Sequence, residues 1–231
     1  NCFSTGLGED MRRAVQHVRA CSGVATVVLQ GAGPHFSIGG NPYAHQREAD
    51  ATMAGFVMSL RELYDGFLQL RLLAHPVVCA VHGTVIGGGV AACLHSDYLL
   101  AESTSLFEHG NLVRGVCVLG MLSQTFACAL RQHANSAYLQ NAQLSATTAR
   151  AMGLVHTVSA GVNTTKIHAH KVSSLTMYCT SLVGAAHRRR TAMDTAQLAR
   201  EAVSHVECQL SGGGFAKSTM VSHTPLEDTV Q

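Results

Sequence analysis

The sequence predicts an α/β protein in which strands come early and helices finish the chain. Three observations carry this. "VATVVLQ" (24–30) and "PVVCAVHG" (76–83) are of strand length and apolar on both faces, the pattern of parallel strands covered on two sides. Between them, apolar residues recur at three- and four-residue spacings, which marks helices packed by one face. Beyond residue 161 the strand signals stop and only helical patterns remain.

Taken in order, residues 10–19 form a helix with Met11, Ala14, Val15 and Val18 on one face. The strand at 24–30 leads into "GAGPHFSIGGN" (31–41), a glycine-dense loop whose Pro34 cannot continue a strand. A long helix comes next over 51–73, with Met53, Phe56, Val57, Leu60, Leu63, Tyr64 and Phe67 on its apolar stripe, and Pro76 ends it. After the strand at 76–83, the triplet Gly87–Gly89 opens a short helix that runs to Leu94, and "DYLLAE" (97–102) is a third strand. Helical segments fall at 119–133 and 145–152, and "GLVHTVS" (153–159) is a last short strand. "KIHAHKVSSLTMYCTSLVGAAHRRR" and "TAMDTAQLAREAVSHVECQL" both read as helices, and "SGGGFAKST" as a loop. Strands alternating with helices, then helices alone, define an α/β core with a helical C-terminal region.

Composition excludes several classes. With 47% hydrophobic and 13% charged residues over 231 positions, the chain buries a sizeable core and leaves a weakly charged exterior, expected to be covered in part by other subunits. A formal net charge of +2 points to neither nucleic acid nor a membrane surface. The eight cysteines form no CxxC pair and lie mostly in apolar runs, as expected of buried thiols in a reducing compartment. Fourteen histidines are dispersed without HExxH or finger spacing; the nearest pairing, His168 and His170, reads as solvated, so no metal is expected. Lacking a long apolar run or a basic-then-apolar leader, the chain reads as cytoplasmic. The opening "NCFSTGL" has no initiator methionine, as expected of a chain excised from something longer.

The chemistry is expected in two glycine loops of one design, "FSIGGN" and "VIGGGVA". Each comes after a buried strand and sets bare backbone N–H groups at a helix start, where negative charge is favoured. Two amides converging on one point make an oxyanion hole. The missing side chains let a flat group lie against the chain. The rivals are a tight turn and a phosphate loop. The latter lacks GxxxxGK[ST], GxGxxG or a nearby lysine.

"TVVLQGAGPHFSIGGN", some 30 residues of helix, and then "LLAHPVVCAVHGTVIGGGVAACLHSDYLLAESTSLF" resemble, in order and spacing, the crotonase (enoyl-CoA hydratase/isomerase) superfamily. "SATTARAMGLVHTV" is similar to that family's short helix and GLV strand, and "NCFSTGLGEDMRRAVQHVR" to its first helix. The resemblance implies a ββα-spiral core over 1–160 and a helical region over 161–231 that serves trimerisation and forms a substrate lid. It also implies a homotrimer or hexamer acting on an acyl thioester. No cofactor of its own is implied, since the acyl group rides on coenzyme A or on the phosphopantetheine of an acyl carrier protein. The two oxyanion amides fall on Gly40 and Gly88, with Ile38, Gly39, Ile86 and Gly87 lining the substrate. Each donor of a good hole is worth roughly 3–4 kcal/mol in the transition state.

The family's two hydratase glutamates fall on Ala91 and near Asn111, and neither residue is a general base. Glu108 and His109 are close by, two or three residues out of register. Losing both glutamates while keeping the loops looks most like the decarboxylating crotonases of polyketide β-branching cassettes, where CO₂ loss generates the enolate without a base. The lysine of that branch would fall near Glu48, beside Arg47, and its C-terminal histidine near Leu210, a turn after His205; its "GFTP" is here "GVCV". A hydratase or isomerase using Glu108 or His109 is the alternative, and a catalytically silent binding subunit a third reading. Tyr43, His45 and Arg47 come after the first loop as substrate contacts or as plain surface residues. His109 is a proton donor or a loop histidine, and Asn111 a hydrogen-bonding group or a turn residue. His82 reads as structural. Arg12, Arg13 and "HRRR" (187–190) meet carrier phosphates or cap solvated helices.

Overall fold

The structure is a computed structural model, and it describes residues 1–40, 53–115 and 120–176. The second C-terminal helix expected at 191–210, the "HRRR" run, His205 and Leu210 lie outside the described residues, as do Tyr43, His45, Arg47 and Glu48.

Helix α1 (Thr5–Ala20) starts at Ser4, whose hydroxyl accepts from the Leu7 N–H at 3.2 Å, and ends with His17 and Arg19 beside the negative end of the helix dipole. Strand β1 (Val27–Gln30) precedes the first glycine loop. Helix α2 (Met53–Leu68) is extended by a tight 3₁₀ stretch, Gln69–Leu72, that delivers the chain to β2 (Val77–Val81). Next come β3 (Thr84–Ile86), α3 (Gly88–Leu94), β4 (Tyr98–Glu102), β5 (Leu106–Glu108), α4 (Leu122–Leu130), α5 (Ala134–Leu139), β6 (Gln143–Ser145), α6 (Ala146–Ala151), β7 (Thr157–Ser159) and α7 (Val162–Thr176).

Two small sheets divide the strands. One is fully parallel in the order β1-β2-β4-β7, and the other runs β3-β5-β6, with β3–β5 parallel and β5–β6 antiparallel. Each of the pairs β2–β3 and β4–β5 therefore sends one strand to each sheet before the chain turns away, which is one turn of a ββα spiral. All five residues of β2 are buried. Val77, Cys79 and Val81 enter the main core with Phe3, Phe67, Val85, Leu99 and Phe107. Val78 and Ala80 face the other way, onto Leu100 and Ala169 of α7. That two-sided cover is why the run "VVCAV" is apolar throughout, and each valine so buried contributes roughly 1.5–3 kcal/mol.

Helices α1 and α2 cross at two glycines. A Cβ on Gly8 would lie 2.5 Å from the Leu63 carbonyl oxygen, and one on Gly66 would overlap the carbonyl of Gly8. Among the described residues no helix is long and apolar enough to cross a membrane. Cys79 and Cys93 are buried, and burial pushes the Cys79 thiol well up and holds Cys93 above its ordinary range. Cys128 departs from the expectation of buried thiols: it sits in the apolar run "FACAL" yet is exposed, on the outer side of α4.

Candidate functional site

The two glycine loops lie side by side. Ser37 forms a parallel bridge with Val85, and the Ile86 N–H donates to the Ser37 carbonyl at 3.0 Å. Three residues further along the two chains stand Gly40 and Gly88. The contact continues past the bridge, since a Cβ on Gly39 would sit 3.1 Å from the Ile86 carbonyl oxygen. Phe3 ties the two ends together. Its N–H donates to Gly39 O at 2.8 Å, it pairs with Gly40 in a parallel bridge, and its ring lies 3.3 Å from where a Gly88 Cβ would be. That ring stacks on Phe67 with centroids 4.4 Å apart. Among the described residues neither the Gly40 nor the Gly88 amide has a hydrogen-bond acceptor. Gly88 is the first residue of α3, where an unpaired N–H is inherent to the helix. The expectation that both loops open helices is met at Gly88; the positions after Gly40 lie outside the described residues.

The triplet's composition has a reason at each position. Gly87 caps α3 at φ 53°, ψ −111°, a conformation side chains oppose. Gly88 is closed in by the Phe3 ring, and a Cβ on Gly89 would stand 2.6 Å from the Ser37 carbonyl oxygen. At Gly89 a protein atom thus excludes a side chain, and at Gly88 the Phe3 ring leaves a Cβ only 3.3 Å of room. Ile38 is exposed, Gly39 and Gly87 are buried and Ile86 is half-buried.

The wall opposite the triplet is the turn after β5. Asn111 is buried, and its Oδ1 would be 3.4 Å from a Cβ on Gly87, so its carboxamide rests against the triplet. The Glu108 carbonyl accepts from the Gly87 N–H at 3.0 Å, which couples β5 directly to the start of α3. The Glu108 carboxylate is buried and receives three donors: Arg114 Nη1 at 2.8 Å and Asn141 Nδ2 at 3.1 Å on Oε1, and Gln143 Nε2 at 3.0 Å on Oε2. Burial pushes its pKa upward, but the hydrogen bonds from Arg114, Gln143 and Asn141 and the guanidinium charge outweigh it and hold the carboxyl below its usual range. Arg114 also donates to Gly110 O at 2.8 Å, and Gly110 N–H donates to Asn141 Oδ1 at 3.0 Å.

His109 points away from that network. Its ring meets Phe126 and Tyr138 edge-on, with centroids 5.0 and 4.6 Å away, and its Nδ1 has no hydrogen-bond partner among the described residues. Burial lowers its pKa to about 4, against a smaller upward pull from its own backbone, so the imidazole is neutral at pH 7. Ala91 is buried in α3. His82 is structural: its Nε2 pairs with Gly33 O at 2.8 Å. Arg12 and Arg13 pair with Glu9 and Asp10 on an exposed helix face. His168 shares a 3.4 Å contact with Ser159 Oγ, and among the described residues no three His, Cys, Asp or Glu side chains gather as a metal site.

Comparison with known proteins identifies the lineage. The enoyl-CoA hydratase/isomerase family profile matches residues 1–220. The chain belongs to this family. Among curated proteins it is 33% identical over 119 residues to a probable enoyl-CoA hydratase of Mycobacterium bovis, a match that covers 46% of this chain and 39% of that protein. It is 25% identical over 143 residues to an enoyl-CoA isomerase/hydratase of Mycosarcoma maydis, covering 61% of this chain and 51% of that one. Its matches thus span about two fifths to one half of those relatives. In three dimensions it resembles an enoyl-CoA hydratase from a Polaromonas species, with TM-score 0.74 at 22% identity over 97% of this chain and 90% of the other. A second enoyl-CoA hydratase, from Bacillus halodurans, gives TM-score 0.74 at 15% identity over 95% and 87%. At these identities the structures establish the crotonase fold.

The residues that sequence reasoning missed are Phe3, Arg114, Asn141 and Gln143. Phe3 sits in the stretch that leads into the first helix, and the other three carry no motif.

Proposed function

We propose that this chain acts on an acyl-CoA thioester, holding the thioester oxygen between the amides of Gly40 and Gly88 while an enolate forms next to it, in a reaction of the hydratase/isomerase type. The observation that supports the reading is the Ser37–Val85 bridge between the two glycine loops, three residues before two amides that have no acceptor among the described residues, with Phe3 in contact with both loops. Such donors act because they are fixed before charge develops; the Gly88 amide is buried, while Gly40 is exposed. The α3 dipole adds to the field at Gly88.

Proton handling is assigned to His109 with Asn111. The neutral imidazole carries an N–H that can donate to a developing negative charge, whereas the Glu108 carboxylate is already committed to three donors. Asn111, resting on Gly87, orients the acyl carbonyl or a water by hydrogen bonding. The relatives named above are hydratases and isomerases, which supports this type over decarboxylation. One observation keeps decarboxylation as a second reading: Ala91 and Asn111 leave the wall without a free carboxylate. Incubation in D₂O separates the two. Crotonyl-CoA should gain water, with hydroxyl at the β-carbon and deuterium at the α-carbon, or a 3-enoyl-CoA should exchange deuterium at its α-carbon. Loss of CO₂ from 3-methylglutaconyl-CoA with no exchange into the enoyl substrates would favour the second reading. Tight acyl-CoA binding with neither outcome would make the chain a binding subunit.

A further inference from the structure

The strongest side-chain cluster outside the hole is the buried group around Glu108, which the proton-transfer scheme leaves unused. It links three separate stretches of chain. Glu108 and Gly110 come from the end of β5 and its turn, Arg114 from the far side of the same turn, and Asn141 and Gln143 from the approach to β6. Both ends of the turn are fastened. Arg114 holds the Glu108 carboxylate and the Gly110 carbonyl, and Asn141 holds the Gly110 N–H and the Glu108 carboxylate. The turn presents Asn111, seated on Gly87, while the Glu108 main chain grips the Gly87 N–H. The ion pair is half in solvent, with Arg114 side-chain exposure at 50%, and alone would contribute little. Its partner is buried and saturated with donors, so exchanging a carboxylate oxygen for an amide sets N–H against N–H.

We propose that Glu108 is a positioning residue: its carboxylate clamps the 108–114 turn so that Asn111 and the Gly88 amide keep their places about the reacting thioester. This rests on the two-amide reading of the site. Glu108 does not touch the acyl group, so its variants change kcat while leaving KM near the wild-type value. A misplacement of about 1 Å costs on the order of 10²-fold in rate, and Glu108→Gln should lower kcat about ten- to a hundred-fold. Gln143→Met and Arg114→Met should lower it in the same direction, and the pair Glu108→Gln/Gln143→Met should fall less than the product of the two, as members of one network do.

The test pairs steady-state kinetics on crotonyl-CoA with amide hydrogen exchange of the free protein over residues 83–94. In Glu108→Gln the Gly87 amide should exchange faster while α1 keeps wild-type protection. Abolished turnover in Glu108→Gln with wild-type kcat in Arg114→Met and Gln143→Met would make Glu108 a proton base and overturn the proposal. Unchanged Gly87 exchange in Glu108→Gln would also overturn it, whatever the kinetics. If the wild-type protein turns over no acyl-CoA, the two-amide reading falls, and the exchange result still decides whether the clamp holds the triplet.

Discussion

Replacing Gly40 with proline deletes one amide N–H at a place where little else changes. Gly40 is not among the positive-φ residues, a Cβ there meets nothing within 4 Å, and its N–H has no acceptor among the described residues. The preceding residue, whose conformation a proline restricts, is a glycine at φ 85°. Loss of one donor from an oxyanion hole costs about 2.7–4 kcal/mol in the transition state, or about 10²–10³ in kcat. The assay is solvent-deuterium exchange at the α-carbon of an acyl-CoA, with Gly40→Ala as the control that keeps the donor. KM should move far less than kcat, because the ground-state carbonyl carries little of the charge. If Gly40→Pro melts like the wild type and exchanges as fast as Gly40→Ala, the two-amide reasoning is refuted.

Other outcomes are expected from the same contacts. His109, with its pKa lowered from 6.5 to about 4, contributes stability above pH 6.5 that is lost as pH falls through 4. Wild type should therefore lose about 2 kcal/mol more than His109→Phe between pH 7 and pH 5, read by chemical denaturation at both values. Gly66→Ala should cost about 1–3 kcal/mol through overpacking at the α1–α2 crossing, visible as a lowered melting temperature. Phe3→Ala removes the ring between Phe67 and Gly88 and should cost about 3–5 kcal/mol; acyl-CoA affinity should weaken beyond what the unfolded fraction explains. Asn1→Ala removes a carboxamide that donates to the carbonyls of Ala32, His35 and Phe36, and should cost about 1 kcal/mol in a urea titration.

Long, two-sided or strongly periodic elements were legible in the sequence. β2 and β4 showed as apolar runs because both their faces are covered, and α2 showed its stripe over four turns. β3, β5 and β6 were not legible, since three residues display no period and Thr84–Ile86 is hidden inside the glycine motif. The strand expected from Val24 begins only at Val27, where pairing with Val77 starts. The helix expected over 119–133 is α4 and then the 3₁₀ stretch Arg131–His133, after which α5 was missed, because Arg131 and Asn141 take left-handed backbone without glycine. The glycine loops could be read because backbone close approach leaves a mark in composition. The donors around Glu108 could not. Asn141 and Gln143 lie 33 and 35 residues further along, and only the β5–β6 register brings them to it.

The Ser37–Val85 bridge joins chain segments that α2 and β2 must first carry around, and the neighbouring pair Val27–Val77 is just as remote in sequence. Contacts of such separation form late and slowly, because the closure entropy of the intervening chain is met before they return anything. A refolding chain should therefore regain helical circular dichroism well ahead of thioester binding, and ligand capture becomes a clock for the last event in folding.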